Sequence, residues 1–267
     1  MILSNFHTHT SFCDGKDTAE ELVLRAIELG CSEIGFSGHS FVEFDQEFCM
    51  SITGTEEYKK EIIALREKYA DKIKILLGVE QDIYSEQSTE DYDFIIGSVH
   101  YILKDNEYLF VDFSRQRQID DVNKHYGGDF YAYIEDYYKL VGEVYEKTKC
   151  NIIGHFDLVT KFNEDNDLFD TKHPRYLKDA FEALEKLSAS PAVFEVNTGA
   201  ISRGYRKTAY PDEIFLSKMA ERGRPFLLSS DCHAKENLLF GLDAERKRLD
   251  ELGYTLCRSS KDFSIMQ

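Results

Sequence analysis

Short apolar runs alternate with longer amphipathic stretches from one end of this chain to the other, and few folds satisfy that alternation. Seven runs predict strands, over residues 2–8, 33–37, 73–79, 94–100, 151–155, 192–197 and 225–230. Between them apolar residues recur at three- and four-residue intervals, which predicts helices over 18–29, 56–69, 130–147, 174–187, 211–222 and 238–252. Such a series builds a parallel sheet with helices packed outside it, because each crossover to a parallel neighbour needs a helix-length connection. Only strands three and four are joined by something shorter, residues 81–93. Asp17 or Thr18 can cap the first helix, with Glu21 three residues after Thr18 completing a capping box, and Gly30 ends it. No repeat or Pro/Gly/Ser-rich linker interrupts the pattern, so one α/β domain over 1–267 is expected. The longest irregular stretches, 41–55 and 104–129, are expected to be lids or substrate-contacting segments.

Six of the eight histidines fall at or just beyond predicted strand ends: His7, His9, His39, His100, His155 and His233. Asp14, Glu80 and Asp231 accompany them. In a barrel of parallel strands the carboxyl ends open onto one face, where active sites are built. Imidazoles and carboxylates gathered there are ligands for zinc, manganese or iron, and nine are too many for one ion. His7 and His9 are two apart on a strand and point to the same side. Asp231 and His233 repeat that spacing at the last strand, which neighbours the first in a closed barrel. Glu80, following an apolar run, is placed to bridge two cations. A satisfied core histidine explains any one of these positions more cheaply, but not six coincidences at strand ends. His125, in a charged loop, and His173, before a helix-starting proline, belong to the solvated background.

Forty-nine acidic against thirty-two basic residues give a formal charge of −17, which disfavours extended nucleic-acid binding. A small anionic substrate remains compatible, since bound divalent cations reverse the local sign inside a cleft. No apolar run approaches the roughly 18 residues of a membrane span, and the first strand begins at once, so neither membrane insertion nor a signal peptide is expected. Six cysteines without a C-x-x-C pair suggest reduced thiols in the cytoplasm. The pattern leaves the oligomeric state open.

Taken in order, the motifs are His7-x-His9, Asp14, Gly38-His39, Gly78-x-Glu80, Gly97-Ser98-x-His100, Gly154-His155-Phe156-Asp157, Glu195-x-Asn197-Thr198 and Ser230-Asp231-x-His233. This series resembles the polymerase and histidinol phosphatase (PHP) superfamily over essentially the whole chain. Within it the chain is most similar to the monofunctional histidinol-phosphate phosphatases. The resemblance implies a distorted (β/α)7 TIM-like barrel holding up to three metal ions. It implies His7, His9, Glu80 and Asp231 around the first, Glu80, His100 and His155 around the second, and Asp14, His39 and His233 around the third. The resemblance also puts His, in some members, where this chain has Asp14; a carboxylate there is a competent ligand and lowers the charge of the third site. The implied activity is hydrolysis of L-histidinol phosphate in histidine biosynthesis. The alternatives are a PHP-type nucleotide phosphoesterase or 3′-5′ exonuclease and, in another class, a metal-stabilised binding domain without chemistry. The complete ligand set argues against the last.

The reaction physics follows from the ligands. Two divalent ions acidify a bound water towards hydroxide near neutral pH and bind phosphoryl oxygens as well. The departing alkoxide needs a proton, for which Asp231, His233 and His39 are unranked candidates. Lys161, Arg203 and Arg206 follow ligand-bearing strands and are candidates for the phosphate, where arginine's fork fits best. Asn197 can bond the substrate or orient a ligand, and Phe41, Phe44, Tyr101, Phe113 and Tyr205 can wall an imidazole ring. The expected partner is a small phosphate monoester.

Overall fold

The computed structural model describes residues 3–223 and 225–263. Its strands are β1 (Ser4–Asn5), β2 (Glu33–Phe36), β3 (Lys74–Asp82), β4 (Phe94–Ser98), β5 (Tyr101–Lys104), β6 (Glu107–Phe110), β7 (Ile152–Ile153), β8 (Val193–Asn197) and β9 (Phe226–Ser229). Seven of them form one parallel sheet in the order β1-β2-β3-β4-β7-β8-β9. The sheet curls until its ends meet: a parallel bridge joins Thr8 to Cys232, with His9 N donating to Cys232 O at 2.8 Å and Cys232 N to His7 O at 3.1 Å. Closure therefore brings together the two segments that carry paired ligand candidates.

The helices are α1 (Ala19–Glu28), α2 (Ile52–Lys68), α3 (Arg115–Tyr126), α4 (Phe130–Val141), α5 (Val144–Thr148), α6 (Pro174–Ser188), α7 (Gly199–Ser202), α8 (Glu213–Ala220) and α9 (Leu242–Glu251). The capping box on α1 is present, with Glu21 N donating to Thr18 Oγ1 and Thr18 N to the Glu21 carboxylate. Among the described residues no helix is long and apolar enough to cross a membrane.

One end of the barrel is plugged by apolar side chains. Phe6, Leu76, Phe94, Ile96, Ile152, Val193, Leu227 and Phe263 form a separate buried cluster. Phe94 meets Phe6 and Phe263 edge-on, at 6.1 and 5.8 Å between ring centroids. Gly78 makes room for it, since a Cβ there would lie 2.3 Å from the Phe94 ring. Period-two alternation puts Leu76, Gly78 and Glu80 on one side of β3, so two residues beyond the glycine the apolar filling gives way to a buried carboxylate. β4 and β8 make the same transition, from Phe94 and Ile96 to Ser98 and from Val193 to Glu195.

Several sequence expectations are corrected. Residues 104–129 are not an irregular insertion but contain the β5–β6 hairpin and α3. Asp105 and Asn106 sit at φ 50° and 63°, the two left-handed positions of a tight hairpin turn. The helix expected over 130–147 is two, separated at Gly142, where any Cβ would crowd Lys186 and Ala183 of α6. α2 starts at Ile52, ahead of the expected 56, because Ser51 caps it by accepting from Gly54 N at 3.0 Å. The strand expected over 2–8 ladders only at Ser4–Asn5, and residue 2 lies outside the described residues.

Candidate metal centre

All nine ligand candidates gather at the polar end of the barrel, inside and just above the β-strand ends. Glu80 is the hub. Its Oε2 lies 3.0 Å from His39 Nδ1, 3.1 Å from His7 Nε2 and 3.5 Å from His9 Nε2. Its Oε1 faces a different set, 2.8 Å from His155 Nε2 and 3.3 Å from His100 Nε2, and accepts from Ser98 Oγ at 2.6 Å. Asp231 Oδ1 lies 3.2 Å from His9 Nε2 and 3.6 Å from His7 Nε2. Asp14 completes a second group, with Oδ2 3.1 Å from His233 Nε2 and Oδ1 3.5 and 3.8 Å from His9 and His39.

Four overlapping groups have ligand atoms close enough to share an ion: His9-Asp14-His39-His233, His7-Glu80-His155, His7-His9-Asp231 and His39-Glu80-His100. Their atoms are otherwise badly served. His7 Nε2, His9 Nε2, Asp14 Oδ1 and Glu80 Oε2 are all buried without a hydrogen-bond partner. Buried polar atoms normally find partners, and four orphans converging on one space, drawn from the groups that could hold a metal, support divalent-metal binding here. Protonation does not resolve the cluster either. Burial and the neighbouring His233 and His39 push His9 down to about 3, while Glu195, Glu80 and Asp231 outweigh burial and raise His7 well above its usual value. Glu80 stays far below the ordinary carboxylate range despite burial, because His7, His39 and His100 surround it.

Carboxylates behind the centre aim its imidazoles. His7 Nδ1 lies 2.6 Å from Glu195 Oε1, and Glu195 Oε2 accepts from His155 N at 2.8 Å. Asp82 Oδ2 holds His100 through its backbone N at 2.9 Å and its Nδ1 at 3.2 Å. A partner on one ring nitrogen fixes the tautomer and points the other at the metal. Sequence reasoning quoted Glu195 within a motif without giving it a task and passed over Asp82. Asp82 has a signal, lying two residues beyond Glu80 on the same strand face.

Above the centre lies a cleft of about 200 Å³. Asp14, His39, Glu80, His100, His155, Asp231 and His233 form its floor; Lys161, Arg203, Asp112 and Asp45 supply charge higher up. Arg203 reaches inward, donating to Asp231 Oδ2 at 3.0 Å and to His233 Nδ1 at 2.9 Å, and leaves its Nε buried and unpartnered. Lys161 Nζ donates to Asp112 Oδ2 at 2.9 Å. Burial raises the Asp112 carboxyl, but Lys161 more than offsets this and the group sits at about 2. Asn197 is buried and does not line the cleft; its Nδ2 donates to Glu195 Oε2 and Asp231 Oδ2.

Arg206 is placed elsewhere. Its guanidinium is buried against Thr160 and Asp212, stacks on Tyr210 with 4.5 Å to the ring centroid, and does not line the cleft. Of the expected aromatic wall, Tyr101, Phe113 and Tyr205 line the cleft and Phe41 and Phe44 do not; Phe48 and Phe110, unnamed in the sequence reading, do. Phe44 instead stacks on Tyr108 behind Tyr101. His125 pairs with Asp105 and Glu107, and His173 caps α6, so neither joins the cluster. A groove of about 690 Å³ at the opposite end of β3 and β4, lined by Arg66, Lys74, Tyr92 and Lys149 among others, contains none of the ligand candidates.

The chain has relatives among known proteins. A protein of Schizosaccharomyces pombe named "Probable histidinol-phosphatase" is 28% identical over 96% of this chain and 89% of its own length. One of Deinococcus radiodurans with the same name is 29% identical over 94% of each chain. The histidinol phosphate phosphatase of Lactococcus lactis, crystallised with zinc, L-histidinol and phosphate, shares the fold at a TM-score of 0.70 and 23% identity, covering 95% of this chain and 94% of its own. The family model described as "PHP domain" matches residues 5–199, well over half of the sequence, and the chain belongs to that family.

Proposed function

We propose that this chain is a metal-dependent phosphomonoesterase that hydrolyses L-histidinol phosphate to L-histidinol and phosphate, a cytoplasmic step of histidine biosynthesis, with residues 1–267 as one PHP-type domain. The observation that carries the reading is the convergence of four orphaned buried donor atoms beneath a cleft furnished with Lys161 and Arg203. Curated relatives that match nearly the whole chain are named for this activity. Two to three divalent transition-metal ions, zinc, manganese or iron, fit the donor set. His7, His9, Glu80 and Asp231 would hold one, Glu80, His100 and His155 a second, and Asp14, His39 and His233 a third. Bound there, such ions supply an acidified water and Lewis-acid contacts to phosphoryl oxygens.

The protein's own groups do the rest. Glu80 presents one oxygen to each of two ligand sets, so its single charge serves both. Glu195 and Asp82 hold His7 and His100 in one orientation. Arg203 and Lys161 stand where phosphate oxygens enter, and Asp231, His39 and His233, all lining the cleft floor, are the candidates to protonate the leaving alkoxide. The nucleotide-phosphoesterase and exonuclease alternatives are not favoured: a formal net charge of −17 repels polyanions.

The test is elemental analysis of protein purified without chelator, combined with phosphate release from L-histidinol phosphate. At least two metal equivalents per active chain are expected. One equivalent or less in fully active protein, or no phosphate release, overturns the proposal.

A further inference from the structure

The Lys161–Asp112 pair crosses the mouth of the cleft and is closed on itself. Lys161 Nζ donates to both Oδ2 and the backbone carbonyl of Asp112, at 2.9 and 3.0 Å. Its ammonium also lies over the Tyr205 and Phe162 rings, 5.1 and 5.6 Å from their centroids. Both charges line the same small cleft as His100, His155 and Asp231. An incoming phosphate competes for Lys161. Once it wins, Asp112 loses its only hydrogen-bonded counter-charge, keeping just the more distant influence of His100 and His155, in a site where its side chain is only 27% exposed. Stranding a partly desolvated carboxylate is costly unless another cation replaces the first.

The other carboxylates of the cleft cannot take that cation. Asp14, Glu80 and Asp231 belong to the metal-ligand groups. Asp45 is already engaged on both oxygens: Oδ1 accepts from Glu47 N and Phe48 N at 3.0 and 3.1 Å, and Oδ2 from the Tyr101 hydroxyl at 2.5 Å. Asp112 has Oδ1 without a protein partner among the described residues, and Oδ2 becomes free when Lys161 leaves. Beside it, Phe113 and Tyr205 are exposed flat rings at the rim.

We propose that Asp112 is the specificity-determining residue of this cleft, receiving an ammonium group of the substrate as Lys161 transfers to the substrate's phosphate. The inference rests on the phosphomonoesterase reading above. The substrate's own two charges replace the internal pair one for one, so a phosphate monoester carrying a nearby ammonium leaves no charge unpaired. In L-histidinol phosphate the ammonium is two carbons from the ester oxygen, close enough for both exchanges to occur within one cleft. A monoester without a cation captures Lys161 and strands Asp112, so it is discriminated against by the protein's own salt bridge.

The experiment compares kcat/KM for L-histidinol phosphate and for the same ester lacking the amino group, in wild type, Asp112→Asn and Asp112→Glu. Wild type should prefer the amino ester by roughly one to two decades, the worth of a charge-assisted hydrogen bond. Asp112→Asn should shrink that preference to about threefold or less, and Asp112→Glu should restore it. Retention of the wild-type preference by Asp112→Asn, or no preference in wild type, overturns the inference while leaving the phosphomonoesterase reading intact. A wild-type enzyme inactive on L-histidinol phosphate overturns the reading itself. A second measurement needs no variant: because phosphate frees Asp112, saturating phosphate should tighten the binding of L-histidinol severalfold by calorimetric titration, and should not tighten the binding of its des-amino alcohol. Independent binding of phosphate and L-histidinol contradicts the exchange.

Discussion

His7 Nδ1 lies 2.6 Å from Glu195 Oε1, both side chains are sealed from solvent, and the opposite ring nitrogen faces Glu80 and Asp231 without a hydrogen bond. The carboxylate fixes which nitrogen of His7 is free to ligate. Glu195→Gln keeps the shape and removes the charge, and the variant should lose about 10- to 100-fold in metal affinity or activity. Metal titration of the stripped variant checks this; wild-type affinity would show that Glu195 serves packing alone.

Glu80→Gln should abolish turnover and leave the fold intact. Its two oxygens face different ligand sets, and an amide nitrogen cannot ligate a cation in place of either oxygen. Circular dichroism and metal content of the variant separate this outcome from unfolding. Near wild-type turnover would show that Glu80 is not shared between ions.

The three basic residues should behave differently. Lys161→Ala and Arg203→Ala should lower kcat/KM by one to three decades, about 1.4–4 kcal/mol of transition-state binding. Arg206→Ala should instead destabilise the fold, by about 3–5 kcal/mol, because it leaves Asp212 and the buried Asp157 beside an empty site. Kinetics and denaturant unfolding on the same preparations distinguish the two classes. A stable Arg206→Ala protein with a raised KM would return Arg206 to the substrate.

Stripping the metals should lower Tm, and returning zinc should restore it, since the orphaned donors of His7, His9, Asp14 and Glu80 are left uncompensated in the stripped protein. Ligand present at 1,000 times its Kd contributes about 4 kcal/mol. The imidazoles must be neutral to ligate, so protons compete with metal and affinity should fall as pH is lowered. Identical melting with and without chelator would contradict the assignment.

The seven barrel strands and the clustering of the nine ligand candidates were readable because they leave marks in the sequence: apolar runs of strand length, six of the seven ending at or just before a histidine or an acid. The hairpin and α3 left weaker ones. β5 and β6 are four residues each, and α3 buries Gln118 and Asp121 beside Val122, so its apolar period rests on Ile119, Val122 and Tyr126 alone. The turn at Asp105-Asn106 and the cap at Ser114 were the local signals available. Arg206 was misplaced for another reason. Position after a ligand-bearing strand does not tell whether a guanidinium turns towards the cleft or back to Asp212, and that choice depends on contacts distant in sequence.

Substrate preference tests the account most directly. The measurement is kcat/KM for L-histidinol phosphate against p-nitrophenyl phosphate, a nucleoside monophosphate and a single-stranded oligonucleotide, with metal loading held constant. L-histidinol phosphate should be preferred, because its remote groups contribute binding energy that positions the scissile bond, and the oligonucleotide should be poor on so acidic a protein. Equal or better turnover of the oligonucleotide would contradict the account and move the chain to the nuclease branch of its family.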